Sequence, residues 1–518
     1  MNSRPPYPPA RKDPLIETLH GTEVPDPYRW LEQADAPETL AWVEAENALT
    51  RSFVDGPERE ALVTRLTRLF DYPRTGIPVK RGARYFFTHN TGLQRQSVLY
   101  VQHGRDGERQ LLLDPNALSE DGTVALTAFA PNEDGTLLAY ALSVHGSDRQ
   151  EIHVRDVATG RDRTDSVRWA KFTSIAWLKD GSGFYYTRFP EPGRVPAGDE
   201  HYYGAIYLHR LSEDQQHDAL IFDRPDDREV VPSVRVSDDG RWVVVAAFKG
   251  SSEKCEVFVG QAGRAERPKP LFTGFDAAWD FIDVAGDRFL FHTDSEAPLG
   301  RSVAFDESII GSTPTLVTVV PERSDKLNAW AIAGNRLLVA YLHNAADQLH
   351  LLSLEGRTHA ALPLPIGSIT GLSARPSDPE FFFGFHSFTI PPIVQRGDSV
   401  TGATSAFSSS SATVDPAAYE TRQVWYPSKD GTRVSMFLVH RQGITLDGDR
   451  PVLLYGYGGF NINLTPGYDP ANFVWLDRGG VFAVANLRGG GEYGEAWHAA
   501  GMFERKQNVF DDFIAAAE

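Results

Sequence analysis

Seven times along the chain a polar turn leads into a strand crowded with aromatic and β-branched residues. The turns lie near Gly82, Gly135, Gly181, Gly240, Gly286, Gly334 and Asp378, and the strands read RYFFTHN, LLAYALS, GFYYTRF, RWVVVAAF, RFLFHTD, RLLVAYLHN and FFFGFHSF. Successive turns are 53, 46, 59, 46, 48 and 44 residues apart, which suits blades of about 40 to 50 residues with loops of variable length. Most units add a strand that alternates as an exposed outer strand does: SVLYVQHG, EIHVRDVATG, AIYLHRLSED, CEVFVGQAG and LHLLSLEG, with turns such as Ala158-Thr159-Gly160 closing the hairpins. One such unit cannot bury both faces, so the units are expected to pack radially as a seven-bladed β-propeller. A row of β-sandwiches is the alternative, and regular spacing from Gly82 to Asp378 favours circular closure.

The pattern changes on both flanks. Residues 36 to 54 read as an amphipathic helix with Leu40, Val43, Leu49 and Val54 among its apolar positions, followed by a second helical pattern with Leu62, Leu66 and Leu69. The biased stretch from Thr401 to Thr413, with serines at 408 to 411, reads as a flexible loop at the last blade. From about Tyr419 the strands look longer and more buried: RQVWYP, RVSMFLVHR, PVLLYGYG and VFAVANLRG. A helix beginning near Asn508, with Phe510, Phe513 and Ile514 on one face, suggests the entry into an α/β sheet. The chain ends at Glu518 with no Gly or Asn to cap that helix, so an interruption within it is expected.

Composition excludes several function classes. No apolar run approaches the roughly 20 residues that span a bilayer, and the basic N-terminus lacks the apolar core of a secretory signal, so a cytoplasmic protein without membrane attachment is expected. Cys255 is the only cysteine, which rules out an internal disulfide and a cysteine-based zinc cluster. A formal charge of -18 disfavours nucleic acid as a partner, since phosphate binding needs clustered Lys and Arg.

Two glycine-rich segments follow apolar strands. Tyr455-Gly456-Tyr457-Gly458-Gly459-Phe460-Asn461 packs three glycines into a sharp loop, where backbone can approach a ligand or simply turn. Arg488-Gly489-Gly490-Gly491-Glu492-Tyr493-Gly494 reads as a tight structural loop in which Arg488 and Glu492 could form an ion pair. A phosphate loop is disfavoured there, because no GxxxxGK[ST] sequence occurs.

These segments and several others make the chain resemble the prolyl oligopeptidase family over essentially its whole length. The resemblance rests on DPYRWLE (26 to 32), LFDYP (69 to 73), YFFTHNTGLQRQSVLYVQ (85 to 102), LDPNALSEDGTVAL (113 to 126), YPSKDGT (426 to 432), YGYGGFN, and RGGGEYGEAWHAAG (488 to 501). It implies an α/β plus all-β fold in which a seven-bladed propeller is inserted into an α/β-hydrolase domain. The expected divisions are 1–73, an N-terminal helical segment of the hydrolase domain; 74–412, the propeller; and 413–518, the first part of the catalytic domain. It also implies a serine endopeptidase that cleaves short peptides after proline, monomeric when full length, with no metal or organic cofactor. Carried over residue by residue, Tyr457 resembles the family's oxyanion-hole tyrosine and Phe460 an apolar wall of the proline pocket. Phe172, in WAKFTS, aligns with a propeller phenylalanine near the next subsite, with blade packing as its alternative role. Phe248 and Ser251 stand where the family has an arginine and a reactive cysteine, so Cys255, four residues on, is expected to be inert.

Acyl transfer needs a serine on a nucleophile elbow, a histidine base and an orienting carboxylate. No GxSxG occurs in these 518 residues; Gly181-Ser182-Gly183 belongs to a propeller turn, and His498 reads as structural. The triad is therefore expected to be missing and the chain to be inactive alone, as the N-terminal part of a longer peptidase. Two other readings stay open: a non-catalytic propeller that binds peptides or a protein partner, and a related oligopeptidase with basic specificity.

Overall fold

The computed structural model describes residues 5–196, 198–310, 314–411 and 414–518, and the chain forms two compact units, Met1–Arg68 and Leu69–Glu518. The first unit contains the hairpin of Ile16–Leu19 with Thr22–Pro25 and the helix Pro37–Val54; the helix Pro57–Phe70 runs across the division. Both helices lie where the periodicity puts them. The apolar positions of the first do not form a buried stripe, because Leu40, Val43 and Val54 are exposed and Thr39 is its only buried residue.

The second unit begins with seven four-stranded antiparallel blades. The first has Arg74–Thr75 and Val79–Arg81 together as its leading strand, then Arg84–Asn90, Val98–His103 and Arg109–Leu113. The seventh, from Ser368–Arg375 to Thr404–Ser408, repeats the arrangement, and blades two and three are merged into one eight-stranded sheet through the single pair Ala170↔Arg188. The aromatic strands recognised in the sequence are the second strand of each blade. Phe86, Phe87, Tyr185, Tyr186, Phe289, Phe291 and Phe381 to Phe383 are among the most buried side chains of the chain. They are apolar on both faces because each blade is sandwiched between two others, and period-2 alternation is lost there.

Two expectations need correcting. The strands read as exposed outer ones are the third of each blade and are well buried, as in Cys255–Gln261; the outermost strands, such as Arg109–Leu113 and Lys269–Phe272, are short and largely exposed. The serine-rich stretch is not all loop: Thr404–Ser408 pairs with Ile393–Asp398 as the fourth strand of blade seven. Residues 412 and 413, on which the expected second domain division falls, lie outside the described residues.

Among the described residues no strand is shared between blade one and blade seven. Side chains close the ring instead: Tyr85 and Phe87 pack on Phe382 and Val394, the Tyr85 hydroxyl donates to Glu380, and Lys80 bridges Asp378 and Glu380 at 2.7 Å each.

Beyond the propeller lies a mixed sheet with the spatial order Tyr419–Pro427, Arg433–Arg441, Val481–Ala485, Val452–Gly456. The last two strands run parallel and the others antiparallel. Phe437, Val439 and Val484 pack against Phe473 and Leu476 of the helix Asn472–Asp477, and Phe388 of blade seven joins the same core. The chain thus combines a propeller with part of an α/β-hydrolase sheet. In the helix Gln507–Ala517 the buried residues are Val509 and Asp512; of the three residues the sequence pattern picked, Phe513 packs against Val509 and Leu487, while Phe510 and Ile514 are exposed.

Candidate active site

The strand Val452–Gly456 delivers the chain into the loop of Tyr457 and Phe460. Gly458 has φ 62°, and a Cβ there would lie 2.4 Å from Val509 and 2.9 Å from the Arg488 carbonyl oxygen. Gly489, with φ 91°, faces it from the second glycine loop, where a Cβ would come within 2.6 Å of the Gly458 carbonyl oxygen. Only glycine lets the two loops pack back to back. Lys506 donates through Nζ to the Gly458 carbonyl at 2.8 Å, and His498 Nδ1 lies 2.7 Å from the Gly489 carbonyl, as a structural donor.

With their backbone held in this way, Tyr457 and Phe460 project outward, 44% and 69% exposed. Phe460 and Asn461 both sit in the left-handed region, at φ 54° and 57°, a conformation that non-glycine residues keep only where the surroundings enforce it. Propeller groups supply part of that enforcement. Asn461 Nδ2 donates to Glu253 at 2.7 Å, Asn463 Nδ2 donates to Asn328 at 3.1 Å, and Asn328 in turn donates to Asp347 at 3.0 Å. These positioning residues escaped sequence reasoning because each is a single polar residue in a loop or strand, without a motif around it.

The expected pair of Arg488 and Glu492 does not form. Arg488, 4% exposed, donates to Asp512 at 2.6 Å and to Asp430 at 2.5 Å. Its hydrogen bond holds the Asp430 carboxyl down at about 2. Glu492 turns away to accept from the Leu464 backbone N–H at 2.8 Å, and burial raises its pKa. Asp430 and Asp512 lie 58 and 24 residues from Arg488, too far for local spacing to reveal the pairing.

Phe172 follows the strand Arg161–Lys171 in a left-handed turn at φ 48° and is 62% exposed, so it does not serve blade packing. Its ring neighbours are the Lys171 ammonium, 4.8 Å from the centroid, and Phe189, edge-on at 6.5 Å; it is not brought against Tyr457 or Phe460. Cys255 is 1% exposed, donates to the Trp279 carbonyl at 3.3 Å, and has its thiol pushed up to about 12 by burial.

This combination of propeller and glycine-loop geometry has relatives. Residues 8–410 match the model described as "Prolyl oligopeptidase, N-terminal beta-propeller domain", and residues 466–518 match "Prolyl oligopeptidase family". A prolyl endopeptidase of Elizabethkingia meningoseptica is 35% identical over 520 residues, covering 99% of this chain and 72% of that protein. The chain belongs to the prolyl oligopeptidase family.

Other members of the prolyl oligopeptidase family agree. Prolyl oligopeptidase A of Amanita bisporigera is 32% identical over 99% of this chain and 73% of its own length. A structure solved in a study of two prolyl endopeptidases is 42% identical, with 99% of this chain and 74% of that one aligned at a TM-score of 0.74. Prolyl oligopeptidase B from Galerina marginata, 29% identical over 99% of this chain, aligns at a TM-score of 0.91 when bound to a 35mer substrate (76% of that chain) and at 0.77 as the apo protein (77% of that chain). Among the described residues no helix is long and apolar enough to cross a membrane.

Proposed function

We propose that the chain binds short proline-containing peptides for cleavage after proline, with Phe460 as the wall on which the pyrrolidine stacks. Tyr457 supplies a phenolic donor for the oxyanion, and Phe172 a surface for a residue upstream. The observation that carries this reading is the pair of outward-facing rings on one rigid loop: Phe460 is held in a left-handed conformation with its ring exposed, next to an exposed phenol. A flat apolar ring matches pyrrolidine. A fixed hydroxyl lowers the barrier to a tetrahedral intermediate by about 3 kcal/mol when it meets the developing charge.

Attack on the carbonyl requires a serine, a histidine and a carboxylate in hydrogen-bonding sequence. No GxSxG occurs in these residues, so the reading assigns to them peptide binding and intermediate stabilisation and expects no turnover by the 518 residues alone. It further places the protein in the cytoplasm, as a monomer in full-length form, and needs no cofactor.

The test has two arms on this chain. Fluorophosphonate labelling and hydrolysis of a proline-coumarin peptide should both be absent, while a proline peptide should bind and lose about tenfold or more in affinity with Phe460→Ala. Labelling of a serine, or equal binding by proline and alanine peptides, would overturn the reading.

A further inference from the structure

A cavity of about 270 Å³ lies against the Phe460 loop, bounded by Asn461 and Asn463 on one side and by propeller blades on the other. Four carboxylates line it, Glu253, Asp280, Asp294 and Glu495, with one ammonium, Lys326. Glu253 accepts from Asn461 Nδ2 and Asp294 from the Ala278 backbone N–H, each at 2.7 Å. The side chains of Asp280 and Glu495 have no hydrogen-bond partner among the described residues, and none of the four carboxylates forms an ion pair there. Four carboxylates thus share the cavity with the single ammonium of Lys326, and the cation acting on Asp280 is Arg235.

A second observation points to a ligand in the same space. His292 also lines the cavity, is only 7% exposed, stacks on Trp330 at 3.7 Å, and leaves Nδ1 without a partner. Burial drives its pKa down to about 3, so the ring is neutral and keeps one acceptor nitrogen. Desolvation, reinforced by the negative charges of Glu253 and Asp294 and opposed by Arg235, pushes the Asp280 carboxyl up to about 6. Lys326 is itself depressed by burial, though Glu253, Glu492 and Glu495 hold it up.

We infer that this cavity is a subsite for a positively charged group of the bound peptide, a lysine or arginine side chain or a free N-terminal ammonium, close to the proline seated on Phe460. The inference rests on the peptide-binding reading above and names the substrate class that reading leaves open. Asn461 ties the two places together, since it follows Phe460 in the chain and its side chain reaches Glu253. A cation entering here meets four carboxylates converging on one concave space, where their fields add, so the attraction exceeds that of a single surface carboxylate. Trp330 and Phe248 offer aromatic surface for the stem of a long basic side chain. At about 30 Å³ for each water, the space holds the end of one such side chain with a few waters.

The test is fluorescence anisotropy on the 518-residue chain with proline peptides that differ at one position near the proline: lysine, norleucine or glutamate, each with a free and an acetylated N-terminus. At low salt each added positive charge should tighten binding about tenfold, and salt of about 1 M should erase most of the difference by screening. Asp280→Asn and Glu495→Gln should each reduce the ratio of lysine to norleucine affinity. Loss of the gain on acetylation alone identifies the terminal ammonium as the occupant; loss with norleucine alone identifies the side chain. Equal binding of lysine and norleucine peptides with either terminus, or an undiminished ratio in the double variant, would overturn the inference while proline dependence still held. Alanine in place of proline separates the two readings, because equal binding there sinks the proline reading and leaves the charge preference standing. Failure of every peptide to bind removes both.

Discussion

The guanidinium of Arg375, at the end of the leading strand of blade seven, donates to the carboxylate of Asp238 in blade four at 2.5 Å. The same guanidinium donates to Glu133, in the turn between the first two strands of blade two, at 2.7 Å, and Lys179 of blade three donates to Glu133 and to the Asp238 carbonyl at 2.7 Å each. Blade seven adjoins neither blade four nor blade two, so the leading strands line the ring's axis and the Arg375 pairs cross it. In a ring with no shared strand, such a clasp supplies closure that backbone hydrogen bonds do not.

Removing the clasp should therefore loosen the ring. Arg375→Met leaves Asp238 without its ion-pair partner and Glu133 with Lys179 alone, and the expected loss is about 3 kcal/mol, typical of breaking a largely buried pair on one side. The check is the urea midpoint of the propeller transition. It should fall in Arg375→Met and recover in part when Asp238→Asn is added.

Arg488 and Asp512 join the second glycine loop to the helix Gln507–Ala517, and Asp512 is fully buried. Asp512→Ala leaves the guanidinium with the half-exposed Asp430 as its one carboxylate, beside the Ser428 hydroxyl, at an expected cost of about 3 to 5 kcal/mol. Limited proteolysis should then cut the region after Val481 faster than the propeller, whereas equal cutting rates would contradict the assignment.

His209 lies buried between Asp218, at 2.8 Å from Nδ1, and Asp165, at 3.5 Å from Nε2. Desolvation lowers its pKa, but the hydrogen bond and charge of Asp218 with the charge of Asp165 outweigh it and leave the pKa raised. A raised folded-state value means that the pair's stabilisation is fully present below the unfolded value of about 6.5. It is lost as pH rises through the folded value. Thermal scans from acid to alkaline pH should show this decline, and His209→Gln should flatten it.

Cys255 should resist thiol reagents in the folded chain. With its thiol pushed up to about 12 by burial, thiolate is scarce at neutral pH. Reaction with an aromatic disulfide reagent should follow unfolding in urea, and rapid labelling of the native chain would refute the inert assignment.

Much of the fold was legible because blade strands leave a local signature. Strands buried between two blades must be apolar throughout, as in RYFFTHN and FFFGFHSF, and a turn must precede each. Outer strands such as Arg109–Leu113 carry no such demand, half of their surface being solvated, and went unread. Helix positions were clear as well, but not which face was buried: Leu40 and Val43 are exposed, and Val509 rather than Phe510 turns inward. Periodicity states that a helix has an apolar side, while burial depends on what packs against it.

The sequence by itself determined the seven repeats, the family to which they belong, and the two glycine loops carrying Tyr457 and Phe460. Each of these is a short-range demand, such as a φ only glycine tolerates or a strand that must be apolar. Only the tertiary structure decided that Arg488 pairs with Asp512 and Asp430 rather than Glu492. The same holds for the clasp of Arg375 across the ring, and for four carboxylates without ion pairs gathering beside Asn461. Charges find partners by distance in space, and ring closure brings together residues as far apart as Tyr85 and Glu380, 295 positions, a proximity that no local pattern encodes.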